Sequence, residues 1–362
     1  MQVGAALGLC LPGLSQSGEG QVVKAGASAQ LSACAASGLL PLLTQLGADL
    51  DHIFDPVGIK ATELEAGGEE KVALAAYVEA MERAARLLKR PDFGLVYGRG
   101  FPASGHGLLG DIALSAPNIG AALQHFTDLF ALHQEASEAR LVQEAGLLRL
   151  EYRILDWRIF ERQQDAELTL AMFQNLLRVA YGPAFSLMEV HFEHPKPDCI
   201  QMHETVFAAP LFFGQPRNAL VFRAGNLQQP MKGSDLRHFA AFSAQAQQLI
   251  RPQGQVGLGD RVRAEIRSRL PDGTPPLQSV AEALGLPRWT LQRRLAAAGL
   301  TYAEAVQDVR KNLAGSYLRQ KHISISDIAQ LLGYVELSPF TRACHRWFGA
   351  APEQIRAGLA QG

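Results

Sequence analysis

Two similar stretches near the end of this 362-residue chain restrict its fold more than any other feature. The second, "ISISDIAQLLGYVELSPFTRACHRWF", begins at Ile323 and has apolar residues at helical spacing on both sides of a Gly-Tyr pair. The first, "PPLQSVAEALGLPRWTLQRRLAAAGL", begins at Pro275 and repeats that order around Gly285. A short helix, a tight turn with glycine and a second helix form a helix-turn-helix. The sequence therefore predicts an all-α module with two such units over residues 256–362.

The segment between the two units has the length needed to place both on one face of duplex DNA. "TYAEAVQDVRKNLAGSYLRQ" begins at Thr301 and, with about 20 residues, would form a helix about 30 Å long. Neighbouring major-groove faces on one side of B-DNA lie about 34 Å apart. A rigid helix between the units could thus present two recognition helices to successive grooves, and we expect double-stranded DNA to be a partner.

Charge is distributed unevenly along the chain. Residues 256–362 contain 14 Lys and Arg against 9 Asp and Glu, whereas residues 1–255 contain 20 against 26. A basic C-terminal module on an acidic body favours contact with a polyanion at one end only. Chance variation of a solvated surface could also produce this asymmetry. The charge distribution is therefore consistent with DNA binding, but the helix-turn-helix pattern is the stronger evidence for it.

The outward faces of the second helix of each unit contain side chains suited to reading bases. Arginine can form two hydrogen bonds with guanine, and glutamine can do so with adenine. The alternative is that single members of the set are ordinary solvated residues or contact phosphates. The candidate DNA-binding residues are Arg288, Trp289, Thr290, Gln292 and Arg293 in the first unit, and Leu337, Ser338, Thr341 and Arg342 in the second.

The first part of the chain mixes helical and strand patterns, which predicts an α+β domain over residues 28–231. "ARLVQEAGLLRLEYRIL" alternates apolar and charged residues around a Glu-Ala-Gly turn and predicts a hairpin. Residues 1–27 are rich in Gly, Ser and Gln and are interpreted as a disordered leader. Residues 232–255 are interpreted as a linker helix that ends before the helical module.

Specific motifs of the C-terminal module resemble those of a known family. Over residues 277–356, the matching residues are Asp327-Ile328-Ala329, Gly333-Tyr334, Ser338, Phe340, Arg342, Gly349, Pro352 and Ile355-Arg356. This set resembles the DNA-binding module of the AraC/XylS transcription regulators. Cys344 departs from the pattern, because the family usually has Phe there. The segments "RPDFGLVYG", "VHFEHPKP" and "FGQPRNALVF" resemble, more loosely, the arabinose-binding-like N-terminal domain of one subgroup.

This resemblance implies a ligand-responsive bacterial transcription regulator, with activation as the commoner mode of the family. We expect a small-molecule effector, a homodimer formed through the N-terminal half, RNA polymerase as a further partner, and no catalytic activity or cofactor. Four widely spaced cysteines and no apolar run long enough for a membrane span favour the cytoplasm. Two alternatives stay open: a metabolite-processing enzyme with an appended DNA-binding module, and an architectural DNA binder without a ligand.

A run of acidic and aromatic residues in "LDWRIFERQQDAE" is the candidate effector site. Carboxylates beside an aromatic ring can bind a cation such as an amine. The competing interpretation is that the later acids stabilise the start of the following helix through its dipole. The candidate effector-binding residues are Asp156, Trp157, Glu161, Asp165 and Glu167.

The segment "HFEHPKPDCIQMH" contains four possible metal ligands, His191, His194, Cys199 and His203. The first two histidines fall in a predicted strand, where an offset of three residues places them on opposite faces. The spacing also differs from known zinc patterns. The sequence therefore favours no metal site.

Overall fold

Two separate hydrophobic cores organise the part of the chain that the computed structural model describes, residues 29–65, 71–249 and 256–359. The larger core includes buried residues from Leu31 to Met231. The smaller core includes buried residues from Val262 to Cys344. The predicted leader, residues 1–27, lies outside the described residues. An α+β domain followed by an all-α module, as the sequence predicted, is confirmed.

The N-terminal domain surrounds one sheet with short helices and two long ones. Its helices are α1 Leu39–Gln45, α2 Leu50–Phe54, α3 Ala61–Glu65, α4 Leu74–Leu87, α5 Phe93–Gly100, α6 Leu108–Ser115, α7 Ile119–Asp128, α8 Phe130–His133, α9 Gln163–Tyr181 and α10 Gln201–Phe207. Helix α9 is the central one and packs closely on α5, where a Cβ at Gly98 would stand 2.6 Å from the carbonyl oxygen of Leu168. Glycine in "RPDFGLVYG" therefore permits two helix backbones to approach.

The sheet has five strands in the order β3-β4-β7-β5-β6. The strands of the domain are β1 Gln30–Ser32, β2 Lys71–Ala73, β3 Ser137–Glu144, β4 Leu147–Ile154, β5 Glu189–His191, β6 Leu211–Phe212 and β7 Asn218–Arg223. Strands β1 and β2 form a separate antiparallel pair. The predicted hairpin is β3-β4, with Leu150 opposite Leu141. The apolar residues of β4 face the core, which accounts for the alternation in the sequence.

Helix α11, Leu236–Leu249, connects the two cores and leaves most of its surface exposed. Its bounds lie within the predicted linker helix, of which residues 250–255 fall outside the described part. The module that follows contains α12 Leu258–Arg269, α13 Leu277–Ala283, α14 Arg288–Ala297, α15 Tyr302–Arg319, α16 Ile325–Leu331, α17 Leu337–Phe348 and α18 Pro352–Leu359.

The turn of the second helix-turn-helix depends on glycine for two reasons. Gly333 has a φ of +70°, a conformation that strains residues with a side chain. A Cβ at this position would also stand 2.5 Å from the carbonyl oxygen of Leu270. The turn therefore lies directly on the short segment that ends α12, and this contact orients α16 and α17 against the rest of the module.

Candidate functional site

The recognition helix of the first unit, α14, exposes four of its five candidate residues. Arg288, Trp289, Gln292 and Arg293 are exposed, and the guanidinium carbon of Arg293 lies 5.2 Å from the centre of the Trp289 ring. This contact holds two of the candidate readers side by side. Thr290 is 8% exposed and faces the core of the module, so the expectation that it faces outward is corrected.

The recognition helix of the second unit, α17, presents a smaller polar surface. Leu337, Ser338 and Arg342 are exposed, and Thr341 is half-buried. The Thr341 hydroxyl donates to the carbonyl oxygen of Leu337 at 3.1 Å, so its proton is already engaged within the helix. Among the four candidate residues of this helix, Arg342 is therefore the strongest hydrogen-bond donor available to a base edge or a phosphate.

Within the described part of the chain, three arginines on these two faces have no carboxylate partner. Among the ion pairs within the described part of the module, none involves Arg288, Arg293 or Arg342, although other arginines of the same module are paired. An unpaired guanidinium on a convex surface is free to contact phosphate or guanine without first breaking an ion pair. The electrostatics of the two helices thus match a polyanionic ligand.

The connecting helix α15 does more than separate the two units. Its Arg310 donates to the carbonyl oxygen of Leu332 at 2.9 Å and to that of Gly333 at 3.1 Å. The same guanidinium lies 4.3 Å from the centre of the Tyr334 ring. Arg310 therefore attaches the second turn to the helix that also follows the first unit. The sequence gives little signal for this role, because Arg310 is one of several charged residues in the segment and its partners lie more than 20 positions away.

A cluster of buried charges joins the module to the N-terminal domain. Glu265 of α12 accepts hydrogen bonds from Arg153 at 2.6 Å and from Arg217 at 2.9 Å. Both arginines also donate to Glu138, each at 3.0 Å. We call Glu138, Arg153, Arg217 and Glu265 the interdomain ion-pair cluster. It covers the face of β4 opposite the core and couples the sheet directly to the first helix of the module.

The structure separates the five candidate effector residues. Asp156 is paired with Arg158 at 2.8 Å, and the Trp157 ring lies 4.3 Å from the guanidinium carbon of Arg263 on α12. Trp157 thus belongs to the contact between the two domains. Because Asp156 and Trp157 already have protein partners, the run does not form the single cation pocket that its sequence suggested.

Glu161, Asp165 and Glu167 lie in three further environments. Glu161 pairs with Arg86 at 2.9 Å and with Arg319 at 3.1 Å, in a cleft of about 400 Å³ between α4 and α15. Asp165 is buried in the domain core, and Glu167 contacts histidines. These three carboxylates therefore differ in solvent access, although they are close in sequence.

Asp165 lines a small cavity inside the N-terminal domain, with both apolar and polar side chains in its wall. The Tyr152 hydroxyl donates to Asp165 Oδ2 at 2.5 Å and accepts from Gln134 at 2.6 Å. Burial raises the pKa of Asp165 to about 6. The cavity also borders His106, for which burial lowers the pKa to about 4. Its volume of about 10 Å³ admits about one water molecule, so a larger ligand would require the cavity to open.

Two of the four possible metal ligands come together, and they do so with a residue outside that set. His194 and His203 both point to Glu167, and one ligand atom of each residue lies within 4.8 Å of the others. His191 instead pairs with Glu189 at 2.8 Å, and Cys199 is exposed. The strand expected to hold both His191 and His194 ends at His191, so the expectation that they occupy opposite faces of it is wrong, and the contribution of Glu167 was not foreseen.

Two family models match the chain in the order of its two domains. The model described as "Arabinose-binding domain of AraC transcription regulator, N-term" matches residues 47–231. A helix-turn-helix domain model matches residues 280–358. Among the described residues, no helix is both long and apolar enough to cross a membrane.

Proteins similar to this chain are named as transcription regulators or utilization regulators. The ornithine utilization regulator of Pseudomonas aeruginosa is 28% identical over 324 residues, covering 89% of this chain and 94% of that protein. The HTH-type transcriptional regulator VirS of Mycobacterium tuberculosis is 29% identical over 336 residues, covering 88% and 94%. The crystal structure of the transcriptional regulator CdpR from P. aeruginosa aligns with 22% identity and a TM-score of 0.36, over 74% of this chain and 87% of that one.

The match to the arabinose-binding model spans just over half of the chain. The relatives that align with both domains are named as regulators, which argues against the enzyme alternative. With its exposed recognition helices and its helix-turn-helix match, the chain belongs to the AraC family of DNA-binding transcription regulators.

Proposed function

We propose that this protein is a sequence-specific transcription regulator that acts in the cytoplasm, as an activator, and responds to a small metabolite. The observation that carries the DNA-binding part is the pair of exposed recognition helices at the two ends of α15. That helix has 18 residues and is therefore about 27 Å long. A spacer of this length supports simultaneous contact with two successive major grooves.

In this proposal α14 discriminates bases more strongly than α17. Trp289, Gln292 and Arg293 read base edges, while Arg288 contacts phosphate. Leu337 and Ser338 offer fewer hydrogen bonds, so the second unit supplies mainly shape and phosphate contacts with Arg342 as its principal donor. The buried Thr290 supports α14 from the core side.

Selection of duplexes from random DNA, followed by titration of a selected site, tests this assignment. Arg293→Ala should weaken binding to the selected site by about 1–3 kcal/mol and relax the preference at one position. Lys311→Ala is the matched control, because Lys311 is an exposed cation of the same module that lines the interdomain cleft instead. Unchanged base preference in Arg293→Ala would remove Arg293 from the readers.

For the effector we propose a small cationic metabolite such as an amine. Buried carboxylates of the N-terminal domain support this class, since a desolvated ammonium requires a charged partner. One relative is named for ornithine utilisation, and ornithine is itself an amine. Two places could receive it: the cavity at Asp165 after opening, or the cleft at Glu161, whose volume of about 400 Å³ is typical of small-molecule sites. In the cleft the ammonium would have to displace Arg86 or Arg319 from Glu161.

Thermal unfolding in the presence of amines and organic acids distinguishes these possibilities. A ligand at about 100 times its dissociation constant should stabilise the folded protein by about 2.7 kcal/mol. Loss of the response in Asp165→Asn alone favours the cavity, and loss in Glu161→Gln alone favours the cleft. If only organic acids stabilise the protein, the effector is not a cation. The proposal that the protein binds DNA would not be affected by that result.

The interdomain ion-pair cluster is a suitable route for the effector signal. Because it links β4 to α12, a ligand that moves the sheet would alter how the module is presented to DNA. Homodimerisation and contact with RNA polymerase belong to the same proposal. The exposed α11, with Leu236 and Leu249 on its surface, supports the first of these. Light scattering that finds only monomers with and without DNA would exclude the dimer.

A further inference from the structure

Three side chains from separate segments meet at one buried point of the N-terminal domain. Glu167 extends from α9, His194 follows β5, and His203 extends from α10. His203 Nε2 lies 2.9 Å from Glu167 Oε1, and His194 Nε2 lies 3.5 Å from the same oxygen. Ligands of a tetrahedral zinc ion, at about 2.0–2.1 Å from the metal, stand about 3.4 Å from one another. The cluster therefore needs only small side-chain movements to surround one ion.

The hydrogen bonds of His194 define which of its nitrogens is available to a metal. His194 Nδ1 lies 2.9 Å from the carbonyl oxygen of Pro195. A carbonyl oxygen only accepts, so Nδ1 is the protonated nitrogen, and in the neutral ring Nε2 presents a lone pair towards the Glu167 carboxylate. Two acceptors that face each other repel unless a proton or a metal ion lies between them. A ring that donates from one nitrogen to a backbone carbonyl is also the usual arrangement of metal-binding histidines.

Two further features favour a metal ion over a simple hydrogen-bonded cluster. Within the described part of the chain, Glu167 Oε2 and His194 Nε2 are buried and lack a hydrogen-bond partner, which is costly for polar atoms. Gln163 donates to Glu167 Oε1 at 2.9 Å and so orients the carboxylate. The rings of Phe192 and Phe213 lie 5.0 and 5.6 Å from that of His194 and pack beside it.

We propose that Glu167, His194 and His203 bind one divalent transition-metal ion, with Zn²⁺ as the best-matched species. Two imidazoles and one carboxylate are a common zinc ligand set that leaves a fourth position for water, whereas Ca²⁺ and Mg²⁺ prefer oxygen ligands alone. The ion would fasten α10 and the segment after β5 to α9. Its role is therefore structural or metal-sensing within the regulator, and the site needs no bound effector.

Metal titration of the full-length, tag-free chain tests the site. After removal of metal with a chelator, the protein is titrated with Co²⁺, whose visible absorption reports tetrahedral coordination, and with Zn²⁺ followed by elemental analysis. We expect about one ion per chain and a zinc-dependent rise in the thermal unfolding midpoint. Loss of an outer-shell partner of a metal ligand can weaken binding by about 100-fold. Glu167→Gln and His203→Gln each remove a direct ligand, so each should weaken Zn²⁺ binding at least as much.

Matched controls and a second variant keep the result decisive. His191→Gln and Cys199→Ser alter neighbouring potential ligands that lie outside the cluster, so both should bind Zn²⁺ as the wild type does. If His203→Gln fails to fold, His194→Gln removes a ligand that is closer to the surface. Absence of metal uptake by the wild type, or uptake that survives Glu167→Gln and His194→Gln, would overturn the proposal. Stabilisation by protons without any response to Zn²⁺ would assign the cluster to a buried ion pair instead.

Discussion

Glu265 offers the sharpest test of how the two domains are held together. It is 0% exposed on α12 and accepts from Arg153, which is 2% exposed, and from Arg217. Replacement by Ala leaves the guanidinium of Arg153 buried opposite one remaining carboxylate, Glu138. Removing one member of a buried ion pair costs about 3–5 kcal/mol. Because both domains have their own cores, we expect this cost to separate α12 from the sheet before it unfolds either domain.

Hydrogen exchange measured by mass spectrometry can detect this separation. In Glu265→Ala, amides of β4 and α12 should exchange faster, by up to the factor of about 10²–10⁴ that corresponds to about 3–5 kcal/mol, while amides of α9 remain protected. Glu265→Gln retains an acceptor oxygen and should show an intermediate effect. The matched control is Glu353→Ala, which removes an exposed carboxylate from α18.

Two outcomes would refute the reasoning. If Glu265→Ala exchanges as Glu353→Ala does, the cluster contributes little to docking. If α9 loses protection together with β4, the two domains unfold as one cooperative unit. The two cores would then not be independently stable, although they are separate in the structure.

Three further predictions concern the module core, its turn and a buried acid. Arg310→Met should destabilise the module by about 1.5–3 kcal/mol through loss of charged hydrogen bonds to the turn, and denaturation midpoints equal to wild type would contradict this. Gly333→Ala should cost about 1–3 kcal/mol because of its positive φ and its contact with Leu270, and a neutral effect in the same assay would reject that account. Burial raises the pKa of Glu82 from 4.5 to about 8, so the folded state keeps a proton that the unfolded state has lost, and stability should fall as pH rises between these values by up to about 1.4 kcal/mol per pH unit. Glu82→Gln should lack that part of the slope, and an identical pH profile of unfolding would show that Glu82 is ionised in the folded protein.

Local patterns in the sequence determined the elements and the DNA-binding module. The period of the apolar residues in α13, α14, α16 and α17, together with glycine at both turns, predicts two helix-turn-helix units because each signal lies within about 25 residues. The alternation in β4 likewise predicts which side of that strand enters the core. These features depend on backbone periodicity, which a short stretch of chain specifies by itself.

Only the tertiary structure decided which charged residues are buried and what they contact. Arg153 occupies the outward side of β4 in the sequence pattern, yet Glu265, 112 positions later, covers it. Glu167 reads as an acid near a helix start, and the fold places it against His203, 36 positions away. The alternation of apolar and polar residues in a strand indicates which face packs against the core of its own domain. Whether the opposite face is also buried depends on how a second domain docks against it. Such partners are selected by long-range packing and electrostatics, which leave no periodic trace in the sequence.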